Sequence, residues 1–136
     1  MGYETLTFSV TENVATITLN RPDAMNAMSP LMAKELHQVA LAVDEREDVR
    51  AVIVTGAGKM FCAGGDLSAF AEAGKGARRL LMEMTGDLHM ALSRLARNPA
   101  PVIAAVNGTA AGAGFSLAMA ADLAVASSKA VFTMAY

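Results

Sequence analysis

The sequence predicts an α/β fold built on parallel strands. Three observations carry that expectation. Residues 51–55 (Ala-Val-Ile-Val-Thr) and 102–106 (Val-Ile-Ala-Ala-Val) are continuous apolar runs, the pattern of strands buried in a parallel sheet. Each run is followed by a turn of small residues, 60–67 and 107–114. Each turn leads into a segment with helical spacing, so strand, turn and helix repeat in the order that right-handed crossovers generate.

The elements follow in order. Residues 6–10 alternate apolar and polar, Glu12-Asn13 turns the chain, and residues 14–19 alternate again, which is an antiparallel hairpin. Asn20-Arg21-Pro22-Asp23 breaks it. Ser29-Pro30 reads as N-cap and first helical residue of a helix from Leu31 to about Val43. Leu31, Leu36, Val39 and Val43 fall on one face, with Lys34, His37 and Gln38 outward. After the strand at 51–55, Gly56-Ala57-Gly58 stops the run and a short helix is expected from Leu67 to Ala73. Gly74-Lys75-Gly76 interrupts, and a long amphipathic helix spans 77–97 with Leu80, Leu81, Met84, Leu88, Leu92 and Leu95 on one side. Gly86 is its weak point. Asn98-Pro99-Ala100-Pro101 ends it. The strand at 102–106 and a helix from about Gly112 to Ala121 come next. Residues 123–126 and 130–132 read as two short strands.

The 136 residues fit one domain, 1–136. Hydrophobic residues make up 54% and aromatic ones only 5%, so Ala, Leu, Val and Met must fill the core. The net charge of −2 and the lack of a basic tract speak against a nucleic-acid partner. Cys62 is the only cysteine, which rules out an internal disulfide and favours a reducing compartment, hence the cytoplasm. The first residues carry no basic and apolar leader pattern. Asn107, the glycines and Asp122 interrupt the apolar stretch 102–126, so no membrane-spanning helix is expected there.

Chemistry concentrates in the two turns, Met60-Phe61-Cys62-Ala63-Gly64-Gly65-Asp66-Leu67 and Asn107-Gly108-Thr109-Ala110-Ala111-Gly112-Ala113-Gly114. Glycines let a ligand approach the backbone closely, and a helix start leaves N–H groups bare to hold negative charge. Two such turns brought together would form an oxyanion hole. Each also has a purely structural reading: Asp66 as the N-cap of an ordinary strand-to-helix turn, and Asn107-Gly108 as a structural turn. The second turn is no dinucleotide fingerprint, because Leu117 stands where the last glycine belongs. Cys62 reads as a small buried residue, and His37 and His89 as surface or boundary residues. Asp122 is a carboxylate in an apolar stretch that needs a partner. No cluster of metal-ligand spacing appears.

These turns, together with Asn20-Arg21-Pro22-Asp23-Ala24-Met25-Asn26-Ala27-Met28, resemble the enoyl-CoA hydratase/isomerase (crotonase) family, in the family's order and over essentially the whole chain. The resemblance implies a crotonase-like (ClpP/crotonase) right-handed spiral of ββα units, incomplete at the C-terminus and without the family's C-terminal helices. It implies acyl-CoA thioester substrates, coenzyme A as part of the substrate with no other cofactor, and a homo-oligomer, trimer or hexamer. It assigns the oxyanion N–H groups to Gly65 and Ala113. It assigns a substrate-binding strip to Asp23, Ala24, Met25, Ala63, Gly64, Asp66, Leu67 and Gly112. Arg21 and Lys59 either attract the coenzyme A phosphates or are plain solvated cations.

The acid/base positions depart from the family's hydratases. Ser116 and Tyr136 stand where those enzymes carry two glutamates, and neither has a pKa suited to proton transfer at neutral pH. The resemblance therefore favours a double-bond isomerase over a hydratase, with a non-catalytic acyl-CoA-binding or assembly fragment as the alternative. A serine peptidase on the same spiral is weaker, since neither His can be tied to Ser116. A family member ending here is expected to expose apolar surface and to self-associate, or to be ordered only beside a complementary segment.

Overall fold

The computed structural model describes residues 2–135. Strands β1 (Leu6–Thr11) and β2 (Val14–Leu19) form the expected antiparallel hairpin, with Leu6 opposite Leu19. Glu12 and Asn13 both take positive φ, 50° and 66°, as a two-residue hairpin turn requires. Helix α1 (Pro30–Asp44) begins as predicted: the Ser29 hydroxyl accepts from Met32 N at 3.1 Å, and Pro30 is the first helical residue. Strand β3 (Ala51–Gly56) then lies parallel to β2, and α2 (Leu67–Ala73) follows the first turn. Helix α3 (Ala77–Arg97) runs unbroken through Gly86. Strand β4 (Val102–Val106) is parallel to β3; a two-residue strand, β5 (Ala110–Ala111), and α4 (Ala113–Met119) complete the second turn. Strands β6 (Leu123–Ala126) and β7 (Phe132–Thr133) close the chain.

The main sheet has the order β1-β2-β3-β4-β6, parallel from β2 onward, and β5 pairs with β7 in a small second sheet. Along β2, β3 and β4 the buried residues alternate: Ala15, Ile17 and Leu19; Val52 and Val54; Val102, Ala104 and Val106. They share one core with α1 and α3, which pack against each other. The second face of these strands is half-buried, so the continuous apolar runs are not covered equally on both sides. No helix among the described residues is long and apolar enough to cross a membrane.

Several side chains differ from the periodicity reading. Leu31 is 39% exposed, because Met32 and Ala33 take the inward positions of the first turn of α1, while Leu36, Val39 and Val43 are buried as expected. Glu35 is buried instead. Its carboxylate accepts from the Glu4 and Thr5 amides, both at 2.8 Å, and from the Thr5 hydroxyl, tying the chain before β1 to α1. Leu81 is 45% exposed, and Ala91 takes a place in the buried α3 face with Met84, Leu88 and Leu95. Asp122 is exposed and finds its partner in the backbone: its Oδ2 accepts from Val102 N at 2.7 Å, capping the entry to β4.

Candidate functional site

The two turns lie side by side. Phe61 N and Cys62 N both donate to Thr109 O, at 3.1 and 3.2 Å, and Ala111 N donates to Cys62 O at 2.9 Å. Glycine makes this approach possible. A Cβ on Gly114 would overlap the Cys62 carbonyl, one on Gly108 would overlap the Lys59 carbonyl, and Gly64 packs against Gly112 at positive φ (111° and 50°).

The segment 20–28 braces the first turn from the other side. Met28 N donates to Gly64 O at 2.7 Å, Ala63 N to Met25 O at 3.1 Å and Asp66 N to Met28 O at 2.9 Å. Met25 and Asn26 both occupy the left-handed region (φ 55° and 53°), a conformation asparagine tolerates well. Asn26 is fully buried. Its Oδ1 accepts from Arg21 N, and its Nδ2 donates to Ala57 O and Met60 O, both at 2.9 Å. Asn107 meets it from the second turn. Its Nδ2 donates to Gly58 O and to the same Met60 O, and its Oδ1 accepts from Gly56 N at 3.0 Å. Two asparagine amides thus stitch the exit of β3 to both turns. For Asn107 this is the structural role expected. The sequence does not single out Asn26 as a hub, because its carbonyl partners lie 31 and 34 residues away.

Arg21 is neither a free cation nor a solvated one. Its guanidinium donates to Ala27 O at 2.6 Å and pairs with Asp66 Oδ2 at 2.9 Å, holding the bend of its own segment to the first turn. Lys59 stays exposed. Asp66 caps α2 as its structural reading anticipated, its Oδ1 accepting from Ser68 N and Ala69 N at 3.1 and 3.3 Å. Cys62 is buried, and burial pushes its thiol pKa up, against the smaller pull of nearby backbone hydrogen bonds, so it behaves as an inert core group. His37 is half-buried in the middle of α1 with Nδ1 3.3 Å from Asp87 Oδ1, and His89 is exposed.

A cavity of about 440 Å³ opens where the turns meet α2 and α3. Ala63, Gly64, Gly65 and Leu67 of the first turn line it, as do Gly112 and Ala113 of the second. Phe70 of α2 and Leu81, Met84, Thr85 and Leu88 of α3 form the remaining wall, with Ala135 beside the second turn. The α3 residues recur at the spacing of one helical face. Among the described residues, neither Gly65 N–H nor Ala113 N–H donates to a protein acceptor, whereas neighbouring Asp66 N and Gly112 N are both engaged. Both helices at the turns have only seven residues, so the amides themselves matter more here than any helix dipole. Asp23, Ala24 and Met25 form a one-turn 3₁₀ bend and its end beside the first turn, outside the cavity wall, with Met25 55% exposed. Ser116 lies on the exposed face of α4 and is not part of the cavity wall. Tyr136 lies outside the described residues.

Comparison with known proteins agrees with this architecture. A family model described as enoyl-CoA hydratase/isomerase matches residues 9–136. A probable enoyl-CoA hydratase of Rhodobacter capsulatus is 41% identical over 136 residues, all of this chain and 51% of that protein. The 1,2-epoxyphenylacetyl-CoA isomerase of Escherichia coli is 40% identical over 93% of this chain and 49% of its own length. Among solved structures, an enoyl-CoA hydratase from Polaromonas sp. JS666 superposes with a TM-score of 0.89 at 37% identity, over 96% of this chain and 51% of that one. The chain spans about half the length of the curated relatives it matches.

Proposed function

The chain belongs to the enoyl-CoA hydratase/isomerase family, and we propose that it carries the electrophilic half of an acyl-CoA site, isomerase-like rather than hydratase-like. The observation that supports this reading is the pair of uncommitted amides, Gly65 N–H and Ala113 N–H, in the wall of one mostly apolar cavity. A thioester carbonyl oxygen accepting from both would be polarised, and transfer of an α-proton to a base outside the described wall would leave an enolate whose charge grows on that oxygen. Donors already fixed by the β-bridged turns stabilise such charge without reorganising. Hydration needs in addition a group that activates water. The described wall residues include no carboxylate or imidazole, so proton transfer would fall to groups outside them; isomerisation needs one such group and hydration two, which favours the isomerase reading. The segment 23–25 and Lys59 would meet coenzyme A. The active assembly would be a cytoplasmic homo-oligomer, a trimer or hexamer, with no further cofactor.

A second reading, a non-catalytic acyl-CoA-binding or assembly fragment, draws on the position of Ser116 outside the cavity. One experiment separates the two. The chain is titrated with crotonyl-CoA and a 3-enoyl-CoA, following binding by calorimetry and double-bond migration and hydration by absorbance. Migration without hydration supports the isomerase reading, and hydration overturns it. Binding without turnover supports the fragment reading. Absence of binding overturns both. Ala113→Pro removes one donor at the first position of α4, where proline is tolerated, and is expected to lower any turnover by about 100-fold.

A further inference from the structure

We infer that Arg21 is a positioning residue that acts on the Gly65 amide from a distance, through two peptide groups joined end to end by hydrogen bonds. Resting on the acyl-thioester reading above, this names the residue that sets the strength of one of its two donors.

The contacts form a chain. Arg21 Nη1 donates to Ala27 O at 2.6 Å. The Ala27 carbonyl and the Met28 N–H belong to one peptide group, and Met28 N donates to Gly64 O at 2.7 Å. The Gly64 carbonyl and the Gly65 N–H belong to the next. No peptide bond among the described residues is cis, so in each group the two ends point in opposite directions. Met28 and Gly65 are also parallel bridge partners, with Gly64 O and Asp66 N turned toward Met28. The Gly65 N–H therefore faces away from Met28. Gly65 lies in the cavity wall, and Met28 does not.

Charge passes along such a chain as polarisation. A cation on a carbonyl oxygen draws electron density toward itself and leaves the N–H of the same peptide group a stronger donor, so each bond strengthens the next. The side chains of Arg21 and Asp66 are only 24% and 13% exposed, which limits screening by water and salt. The second amide has no such backing. Gly112 O accepts from Ser116 N at 3.0 Å, a bond of α4 itself, and residues 113–119 include no charged side chain. Asp66 Oδ2 lies 2.9 Å from Arg21 Nη2 and tempers the guanidinium charge. An ion pair that only held the bend would weaken in the same sense whichever partner lost its charge. A polarising cation and its counter-charge would act in opposite senses.

The test uses the whole chain and cinnamoyl-CoA, a conjugated thioester whose absorption moves to longer wavelength as its carbonyl is polarised. Spectra of the bound ligand are recorded at saturation, with affinity by calorimetry and folding by urea midpoint alongside. Arg21→Gln keeps a side-chain N–H and removes the charge. It is expected to lose about half of the red shift and to lower any turnover of a 3-enoyl-CoA at saturation about fivefold, short of the roughly 100-fold expected for a missing donor. Arg21→Lys, which keeps the charge, should retain most of the shift. Asp66→Asn keeps a good N-cap and removes the counter-charge, so the bound spectrum should move further to the red. Opposite movements in Arg21→Gln and Asp66→Asn support the relay. Movements in the same direction, or an unchanged bound spectrum in either variant, overturn it and leave the acyl-thioester reading standing. If the unmodified chain binds cinnamoyl-CoA no better than free coenzyme A, or binds it with no red shift, that reading fails and this one with it.

Discussion

Strands β3 and β6 flank β4 in the same parallel sheet and are alike in sequence, Ala-Val-Ile-Val and Leu-Ala-Val-Ala, yet their environments are opposite. Val52 and Val54 of β3 are buried against the core that α1 and α3 close. Leu123 and Val125 of β6 are 62% and 67% exposed, and Met119, Val131, Phe132 and Met134, nearby in sequence, are exposed too. Hydrogen-bond pairing alone places β6, whereas pairing and packing together place β3. An apolar strand is thus defined by what lies over it, and the covered side is where the two turns, their braces and the cavity are fixed.

The largest effect is expected at the seam between the turns, which joins the two sides. Gly114→Ala forces a methyl group into the Cys62 carbonyl, a backbone atom that cannot move aside without separating the turns. A loss of more than about 4 kcal/mol is expected by urea denaturation followed by circular dichroism. A mild loss would mean that the turns are less tightly laid together than the hydrogen bonds imply.

Asn26→Ala comes next. It leaves Ala57 O, Met60 O and Arg21 N without their side-chain partner in a buried setting, at a cost of about 3 kcal/mol in the same assay. The direct test of the contrast is a pair of identical changes. Val52→Ala should cost about 2 kcal/mol and Val125→Ala no more than about 0.5 kcal/mol. Similar costs would show that β6 is covered in solution. Such covering could come from self-association through this edge, as edge strands with exposed apolar residues invite. Light scattering should then show a concentration-dependent mass that Val125→Lys reduces.

The smallest effect concerns acid stability on the covered side. Burial alone would raise the Glu35 pKa, but the amides of Glu4 and Thr5 and the Thr5 hydroxyl outweigh it and hold the carboxyl below its ordinary value. A depressed folded pKa contributes stability that is complete above the ordinary carboxylate pKa. That contribution is lost as pH falls through the lowered one. Urea midpoints measured from neutral pH to about pH 3 should therefore fall less steeply for Glu35→Gln than for the unmodified chain.

Much of the molecule was legible in the sequence because its signals are local. Alternation fixed the hairpin, Ser29-Pro30 fixed the start of α1, and Asp66 declared itself a cap three residues before Ala69. The order of the two glycine turns and the segment 20–28 pointed to the family. Illegible parts depended on contacts between distant residues. Arg21 looks like a free cation until Asp66 and Ala27 are seen to hold it. Leu81 has the spacing of a core residue, yet its side of α3 faces an open cavity.

By itself, the sequence determined the kinds of elements, their order and the two places where backbone amides could be presented to a ligand. Periodicity, caps and glycine act over a few residues, so a linear chain displays them. The tertiary structure decided which amides stay uncommitted among the described residues, which walls meet them and which of two similar apolar strands is covered. Those outcomes turn on distances between residues some fifty positions apart, such as Cys62 and Thr109 or Asn26 and Met60, that only the packed sheet sets.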